Sequence, residues 1–514
     1  MKIATVTDKI NLHDYDVLVL PFWGKCLSGK EALRVSLPDH LKTLVDAALS
    51  GGLFLPESGC FYVINCFLEG QFISVLLASL GEEIQPRDVF LNFDKALKQC
   101  KVLGARRVVV LLDNVPEIAA RPDICAKLCE LPFLTAYNFT AYKTGEKPKV
   151  LETVDFFTEA DGFDIHLTEA QACAESTLLA RDLVNHPSTH MTSVQLAEEA
   201  RKVGVEFGFE VDVLSRPAIE AQNMHAYLSV ARGAAGDEPQ LIVMRYRGKK
   251  DTETTLALVG KGILFDSGGY TLKSKMSTMH NDMGGAAAVI GAIRAAAAME
   301  LKINVVGVVA ACKNMISGDA FVPGDILYSK AGKTIEIQST DAEGRLTLAD
   351  ALTYAIREEK ADELIDIATL TGAAREAVGN RSAVVLSNCD SLHGVLQEAS
   401  RCSCEKIWRL DLDKELRPVL DSAVADLKSS NPDSPAGGRS IVAGLFLQEF
   451  VEGKPWVHID MAPVNWLAEE NPYCGKGATG YGVSLLYQFL KLKAQNYSIS
   501  TQLSHPEIDS KGRK

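Results

Sequence analysis

Short apolar runs rich in β-branched residues alternate with segments of helical spacing along the whole chain. In the first part, the runs at 16–22, 71–79 and 106–112 predict strands, and 89–105 has the apolar spacing of a helix. Strands that alternate with helices are typical of an α/β module. Residues 1–160 are therefore predicted to form a small N-terminal α/β domain with an assembly or regulatory role. No glycine-rich phosphate loop follows a strand in this part of the chain.

The next long periodic segment, 167–187, predicts a helix that Pro187 ends. We place the domain boundary near residue 160 and expect this helix to link the small domain to the catalytic domain, 161–495. Residues 496–514 are mostly polar and are predicted to form a frayed tail.

The second half repeats an order of strand, loop and helix. Strands are predicted at 241–248, 254–260 and 303–312, and 363–372 predicts a further strand and its exit loop. The alanine-rich segment 284–301 predicts a helix that can pack closely on a sheet. This order is typical of a doubly wound, mostly parallel sheet. The fold class predicted is thus α/β, with a small N-terminal domain and a larger catalytic domain. The segment from Lys261 onward is predicted to be a loop.

Composition narrows the class of protein. The chain has 514 residues, of which 47% are hydrophobic and 23% charged, which is typical of a globular protein with more than one domain. A net charge of −13 argues against a nucleic-acid surface, and no apolar run approaches the length of a membrane span. The 12 cysteines form no paired framework, which favours thiols in a reducing compartment. We expect a cytoplasmic protein.

Candidate chemistry is concentrated in STDAEGRL, Ser339–Leu346. Asp341, Glu343 and Arg345 lie between a strand-like run, TIEIQ, and the helical pattern of LTLADALTYAIREE. Alone, such a cluster is typical of a helix start with acids near the dipole. In a parallel α/β sheet, however, a connection from strand to helix lies at the carboxyl edge, where ligands bind.

Two other segments place polar groups at the same edge. Lys261 and Asp266 lie in VGKGILFDSGG, and Lys273 and Asp282 lie in the loop and helix start that follow. With the two acids of STDAEGRL, four carboxylates would converge and repel one another unless cations lie between them. Two divalent ions would balance four negative charges. Oxygen ligands without histidine favour Mg²⁺, Mn²⁺ or Zn²⁺.

Three motifs, VGKGILFDSGG, NDMGGAA and STDAEGRL, resemble the site motifs of the leucyl aminopeptidase (cytosol aminopeptidase) family of dinuclear metallopeptidases. ARDLVNHP, DIATLTGA and WVHIDMA resemble further family segments in the same order, and the resemblance extends from about residue 135 to 490. It implies a metal-dependent aminopeptidase that removes an N-terminal Leu, Met or other apolar residue from short peptides. It also implies a homohexamer.

The resemblance implies a role for each site residue. One metal ion would be held by Asp266, Asp341 and Glu343, and the other by Lys261, Asp266, Asp282 and Glu343. Lys261 would bind as a neutral amine, which requires a depressed pKa that burial and two cations would supply.

Two cationic residues would assist catalysis. Lys273 would polarise the scissile carbonyl, and Arg345 would hold a bicarbonate that acts as general base. The substrate side chain would be lined by Met279, Thr369, Gly372 and Ala462, with the backbone of Leu370 positioning the peptide.

The chain departs from the family pattern at three places. The loop Lys273–Asp282 is shorter than usual, Ser339 replaces the usual Asn, and Pro463, Val464 and Asn465 follow WVHIDMA in place of a glycine-containing run. These changes can reshape the pocket and its specificity. We expect His280, inside the short loop, to lie outside the ligand set.

Two alternatives stay open at this point. The protein could be a dipeptidase-like hydrolase of substrates such as Cys-Gly, because only the pocket separates that activity from a leucyl one. It could also be a family member with an added DNA-binding or assembly role, against which the net charge argues.

Overall fold

The computed structural model describes residues 1–7, 10–24, 33–55, 59–68, 70–145, 151–250, 252, 254–470 and 475–504, without the side chains of 496–504. The chain divides into two compact units. The first comprises Met1–Leu178 and Leu467–Gly477, and the second comprises Leu179–Trp466 and Ala478–Lys514.

The first unit is built on a six-stranded sheet in the order β1-β6-β5-β2-β4-β3. Its strands are β1 Lys2–Val6, β2 Val17–Phe22, β3 Phe61–Leu68, β4 Gln71–Ser79, β5 Arg107–Leu111 and β6 Thr153–Phe157. Its helices are α1 Asp39–Ser50, α2 Pro86–Val102, α3 Pro116–Ala119 and α4 Pro122–Ala136. All pairs are parallel except the hairpin of β3 and β4. Because β2 lies in the middle of the sheet, all its residues are buried.

Helix α5, Phe163–Asn185, begins in the first unit and ends in the second. Its first half belongs to the first unit because Ala174 and Leu178 pack in one apolar cluster with Phe133 and Leu134. The two compact units therefore separate within α5, between Leu178 and Leu179. The domain boundary near residue 160 stays a prediction.

The second unit contains an eight-stranded sheet in the order β15-β14-β17-β13-β9-β10-β8-β7. These strands are β7 Glu210–Leu214, β8 Gln240–Arg247, β9 Leu256–Asp266, β10 Asn304–Asn314, β13 Glu363–Ala368, β14 Ala383–Ser387, β15 Ile407–Arg409 and β17 Trp456–Asp460. The central strands β17, β13, β9 and β10 are parallel, and the antiparallel pairs lie outside them. The predicted α/β class with a mostly parallel catalytic sheet is confirmed.

Helices cover both faces of this sheet. The helices are α6 Ser193–Phe207, α7 Arg216–Ala221, α8 His225–Ala231, α9 Gly284–Ala298, α10 Glu343–Arg357, α11 Gly372–Val378, α12 Asp390–Ser403, α13 Arg439–Gln448 and α14 Val483–Ser504. One apolar core contains residues of α6, α9, α12 and α14, and a second contains residues of α8, α10 and α13. This arrangement is the doubly wound one.

Helix α9 lies unusually close to the sheet. A Cβ on Gly285 would lie 2.0 Å from the carbonyl oxygen of Ile367 and 2.8 Å from the backbone nitrogen of Lys261. A Cβ on Gly260 would lie 2.7 Å from the carbonyl oxygen of Gly285. The glycines and alanines of this helix therefore let its backbone contact the central strands, which brings its N-terminal end to the carboxyl end of β9.

Two predictions about local structure are wrong. Lys261 lies inside β9 and not in a loop, because the strand continues to Asp266 and the ammonium is neutralised by carboxylates distant in sequence. The strand before STDAEGRL, β12 Thr334–Glu336, is not part of the main sheet. It pairs with β11 Ile326–Tyr328 and β16 Leu427–Lys428 in a separate three-stranded sheet. Three residues are too few for periodicity to identify the partner strand.

The predicted tail 496–514 is described in part. Helix α14 continues to Ser504, so the segment from 496 onward begins within a helix; 505–514 lie outside the described residues, and the frayed tail stays a prediction. A two-stranded ribbon pairs β18 Trp466–Leu467 with β19 Gly477–Ala478. Within the described ranges, ten cysteines are free thiols, and no helix is long and apolar enough to cross a membrane.

Candidate metal centre

The centre is built around Lys261, in the middle of the sheet. Its side chain is 3% exposed, and its Nζ lies 2.7 Å from Asp282 Oδ2 and 2.9 Å from Glu343 Oε1. It also donates a hydrogen bond of 2.9 Å to the carbonyl oxygen of Thr369. Strand β9, the start of α9, the start of α10 and the end of β13 therefore meet at this ammonium.

Asp282 follows a single 3-10 turn, Met279–Asn281, and precedes α9. Thr369 donates its hydroxyl to Asp282 Oδ1 at 2.6 Å. Thr369 thus holds both Lys261, through its carbonyl, and Asp282, through its hydroxyl, and its contacts identify it as a positioning residue of the centre.

Three carboxylates form a compact group. One oxygen atom from each of Asp266, Asp341 and Glu343 lies within 4.8 Å of the others. Lys273 bridges two of them, with its Nζ 2.8 Å from Asp266 Oδ2 and 2.5 Å from Asp341 Oδ1. Six of the seven residues predicted from the three motifs, all but Arg345, therefore lie together: two groups of ion pairs, one around each lysine, meet where Asp266, Asp341 and Glu343 approach one another.

Burial destabilises the ionised form of the carboxyl groups in this cluster, which raises their pKa values. Burial raises the pKa of Asp282 to about 6, and burial together with the charge of Asp266 raises the pKa of Glu343 to about 8. For both lysines, burial lowers the pKa, but the surrounding carboxylates outweigh burial and raise it overall. The depressed pKa expected for Lys261 therefore requires the charge of bound cations.

These residues fit divalent cations. Glu343 Oε2 is buried without a hydrogen-bond partner, so a carboxylate oxygen that is 2% exposed has a free coordination position. The neighbouring donors are carboxylate oxygens, which hard and borderline cations prefer. In this structure the ammonium groups of Lys261 and Lys273 supply the positive charge beside these carboxylates.

Arg345 lies in the first turn of α10 and is 8% exposed. Its Nη1 donates to the carbonyl oxygen of Ser429 at 2.9 Å, while its Nε is buried without a partner. Among the described residues it makes no ion pair, and burial lowers its pKa to about 10. A desolvated guanidinium with an unpaired N–H is suited to bind an anion.

Two positioning residues are not among the site residues predicted from the sequence. Asn314, at the end of β10, donates its amide to Asp266 Oδ1 at 2.8 Å and to the carbonyl oxygen of Thr340 at 3.0 Å. Asp460, at the end of β17, accepts from the backbone nitrogen of Leu370 at 3.1 Å and from Thr371 Oγ1 at 2.6 Å. Both lie at the carboxyl ends of strands of the main sheet, β10 and β17.

The residues predicted to bind substrate fall into two groups. Leu370 and Gly372 line a cavity of about 300 Å³ that also borders Asp341 and Arg345. Met279, Thr369 and Ala462 do not line this cavity. Met279 begins the 3-10 turn before Asp282, and Ala462 donates its backbone N–H to Asp460 Oδ1 at 3.2 Å.

The short loop Lys273–Asp282 contacts the segment that follows WVHIDMA, where the chain also departs from the family pattern. The His280 ring lies edge-on to Trp466, with 4.9 Å between ring centroids. Asn465 donates its amide to the carbonyl oxygen of Asn281 at 2.8 Å. The two unusual segments therefore pack on each other beside Asp282. His280 is half-buried, and burial lowers its pKa.

A cluster of carboxylates and lysines at the carboxyl edge of a doubly wound sheet is typical of a metal-dependent hydrolase. The model of the cytosol aminopeptidase family, catalytic domain, matches residues 178–487, and the chain belongs to this family. The resemblance found in the motifs is confirmed. The protein is thus a metal-dependent aminopeptidase, a hydrolase of peptide bonds.

Relatives and solved structures agree with this assignment. A probable cytosol aminopeptidase of Clostridium perfringens is 44% identical over 499 residues, covering 93% of this chain and 97% of the relative. One of Alkaliphilus metalliredigens is 34% identical over 505 residues, covering 96% and 99%. A mutant of tomato leucine aminopeptidase has a TM-score of 0.84 at 32% identity, covering 96% of each chain. The bottromycin maturation enzyme BotP in complex with Mn has a TM-score of 0.80 at 29% identity, covering 93% of this chain and 99% of its own.

Proposed function

We propose that this enzyme removes an apolar N-terminal residue, such as Leu or Met, from short peptides at a centre of two divalent metal ions. The observation that carries the proposal is the convergence of four carboxylates, three of them buried, and two lysines from separate elements in one cluster. Four negative charges so close together repel one another, and two divalent cations would balance them.

The carboxylates of this cluster would hold the two ions. Asp266, Asp341 and Glu343 would bind one ion, and Lys261, Asp266, Asp282 and Glu343 would bind the other. Such ions supply Lewis acidity to a water molecule and to the scissile carbonyl. BotP was solved with Mn, which supports Mn²⁺ as one candidate beside Zn²⁺ and Mg²⁺.

Lys273 would stabilise negative charge on the scissile carbonyl oxygen. Its side chain is 22% exposed, so it lies at the boundary between the buried carboxylates and solvent. The carboxylates around it outweigh burial and raise its pKa, which keeps the ammonium charged at neutral pH. A charged donor fixed in advance beside the reacting carbonyl is the arrangement that lowers the barrier to acyl transfer.

Arg345 would hold a bicarbonate ion that accepts a proton from the attacking water. Its unpaired Nε–H, its burial and its position on the cavity wall beside Asp341 support this role. A small anion bound there would act as general base, a role for which no histidine is available in the cluster.

Specificity for the first residue would come from two sources. Cleavage next to a free N-terminus requires recognition of the α-amine, which would bind as a neutral ligand to one of the metal ions that the carboxylates hold. The apolar side chain would be lined by Met279, Thr369, Gly372 and Ala462, with the backbone of Leu370 positioning the peptide.

We also propose that the protein forms a homohexamer. We propose a cytoplasmic location as well, because the relatives are named cytosol aminopeptidases. Phe67 and Phe72 face each other on the edge hairpin of the first unit and are 72% and 61% exposed. Exposed aromatic residues of this kind favour burial in an assembly. A monomer mass in light scattering would contradict this part of the proposal.

The test is a panel of amino-acid amides and dipeptides, including leucinamide, methioninamide and Cys-Gly, with the Mn²⁺-loaded enzyme. We expect turnover of the apolar amides, loss on chelation and loss in Glu343→Ala, because Glu343 contacts both Lys261 and the carboxylate group. Glu206→Ala, an exposed glutamate on α6, is the matched control and should retain activity. An enzyme that holds metal and cleaves nothing in the panel would refute the proposal, and a preference for Cys-Gly would favour the dipeptidase.

A further inference from the structure

The cavity beside the metal centre has a distinct chemical character. It has a volume of about 300 Å³, which is at the small end of the range for ligand pockets, and it begins at Asp341 and Arg345. Its wall includes the hydroxyl and amide groups of Ser339, Ser430 and Asn431. A pocket of this size and polarity is suited to a short polar group.

Two buried polar atoms in this wall have no partner. Arg345 Nε and Ser430 Oγ are both buried without a hydrogen bond, and Arg345 as a whole is 8% exposed. Unpaired buried donors are costly, and these two belong to residues that line the cavity, so the cavity is suited to a ligand with acceptor atoms beside the proposed bicarbonate.

The exposed part of the wall contains a second guanidinium. Arg439 begins α13, and its Nη2 donates to the carbonyl oxygen of Pro432 at 3.1 Å. Among the described residues, Arg439 has no ion-pair partner. Two acidic residues of the same wall are exposed: Glu376, on α11, and Asp341, which belongs to the metal centre. The cavity therefore extends from a buried guanidinium to an exposed one.

The loop before Arg439 holds it at this position. Gly437 and Gly438 adopt positive φ angles of 68° and 60°, which L-residues with a side chain rarely adopt. Gly438 lies against Leu416, whose Cδ1 would be 2.7 Å from an added Cβ. The backbone turns at these two glycines, and Arg439, the first residue of α13, therefore lies on the cavity wall.

We propose that this cavity receives the part of the peptide that follows the scissile bond, and that Arg439 selects substrates that carry a carboxylate there. The inference rests on the proposed aminopeptidase function, because it assigns the second position of the same substrate. Two sources supply such a carboxylate: the C-terminus of a dipeptide and the acidic side chain of a second residue. Glu376 would oppose the same carboxylate by repulsion.

The expected effect is modest because Arg439 is exposed. A solvent-accessible arginine that pairs with a carboxylate in a favourable, bidentate geometry is worth about a three- to tenfold preference in kcat/KM. The contact is far from the reacting bond and is made equally in the ground state and the transition state, so it should change KM and not kcat.

The experiment compares two matched pairs of substrates with the Mn²⁺-loaded enzyme. Leu-Gly against Leu-Gly-NH₂ isolates the terminal carboxylate, and Leu-Asp-NH₂ against Leu-Asn-NH₂ isolates an acidic side chain. We expect a preference of about three- to tenfold for the charged member of at least one pair, carried by KM. The pair that shows it identifies the source.

Variants assign the preference to the cavity. Arg439→Gln should abolish it, and Glu376→Gln should increase it. Arg232→Gln, which changes an exposed arginine outside the cavity wall, should leave it unchanged. An enzyme that cleaves leucinamide but shows no preference in either pair, or one that keeps its preference in Arg439→Gln, overturns the inference while the proposed function stands.

Failure of the proposed function has a different signature. It appears as a metal-loaded protein that cleaves none of the substrates, leucinamide included. For such a protein, calorimetric binding of Leu-Gly and Leu-Gly-NH₂ replaces kinetics. Tighter binding of Leu-Gly that is lost in Arg439→Gln would support the carboxylate site, and equal binding of both would refute it.

Discussion

The side chain of Lys261 occupies the space beside the α-carbon of Gly344. A Cβ at position 344 would lie 2.5 Å from Lys261 Cε and 2.8 Å from its Nζ. Gly344 has helical backbone within α10, so its role is to leave room for the lysine and not to supply an unusual φ angle. We expect Gly344→Ala to displace Lys261 from Asp282 and Glu343 and to lower kcat/KM by about 100-fold, the typical cost of a misplaced site residue.

The control for this substitution is Gly394→Ala, in α12, where an added Cβ meets no atom within 4 Å. It should retain full activity and raise the free energy of unfolding by about 0.5–1 kcal/mol, the gain of alanine over glycine in a helix. Wild-type kinetics in Gly344→Ala would show that the space beside Gly344 is not needed.

The two lysines of the centre should differ in their effect on metal binding. Lys261→Met removes a proposed ligand and should weaken Mn²⁺ binding by more than about 100-fold, beyond the typical loss for an outer-shell partner. Lys273→Met should retain or tighten Mn²⁺ binding, because its ammonium competes for Asp266 and Asp341. It should nevertheless lower kcat by about 100- to 1,000-fold, as the loss of an oxyanion donor does.

Isothermal titration with Mn²⁺ and steady-state kinetics on leucinamide distinguish these effects. Equal loss of metal affinity in both lysine variants would contradict the separate roles.

Chelation should abolish activity without unfolding the protein. The ammonium groups of Lys261 and Lys273 already contact Asp266, Asp282, Asp341 and Glu343, so the carboxylates keep counter-charges when the cations leave. We expect an unchanged far-UV circular dichroism spectrum at room temperature and a lower thermal midpoint, because a ligand that binds only the native state stabilises it. Activity should return with Mn²⁺, and EDTA already saturated with Mn²⁺ is the control. Unfolding at room temperature on chelation would contradict this prediction.

Asp350 should make stability depend on pH. It is fully buried on α10 and accepts from the backbone nitrogens of Tyr227 at 2.9 Å and Lys330 at 2.8 Å. Burial raises its pKa to about 7. Because its pKa is higher in the folded than in the unfolded state, ionisation costs stability, and this cost grows from about pH 4 to about pH 7 and is constant above.

Asp350→Asn cannot ionise, so its free energy of unfolding relative to the wild type should rise over the same interval. The lost backbone acceptor adds a constant cost of about 1–3 kcal/mol. Urea midpoints between about pH 5 and about pH 8 measure the difference. Asp319→Asn, an exposed aspartate, is the control and should show no such slope. A pH-independent difference for Asp350→Asn would mean that its carboxyl group does not titrate in this interval.

Local patterns predicted much of the fold. The strands at 71–79 and 106–112 and the helix at 284–301 agree with β4, β5 and α9 to within a few residues. Lys261 was the clearest failure, because a lysine between glycines interrupts the apolar pattern of a buried strand. Its burial depends on Asp282, 21 residues away, and on the carbonyl oxygen of Thr369, 108 residues away. No local signal reports such partners.

The sequence by itself determined the order of elements, the family, and the residue types that can hold divalent cations. The segment Ser339–Leu346 could be recognised from the sequence because its two acids and its arginine lie within five consecutive residues. Only the tertiary structure decided that Lys261 lies in a strand, that Asn314 and Thr369 hold the charged groups, and that Arg439 shares a cavity with Arg345. The physical reason is that a buried charge is stabilised by groups that are close in space, and chain folding alone brings them together.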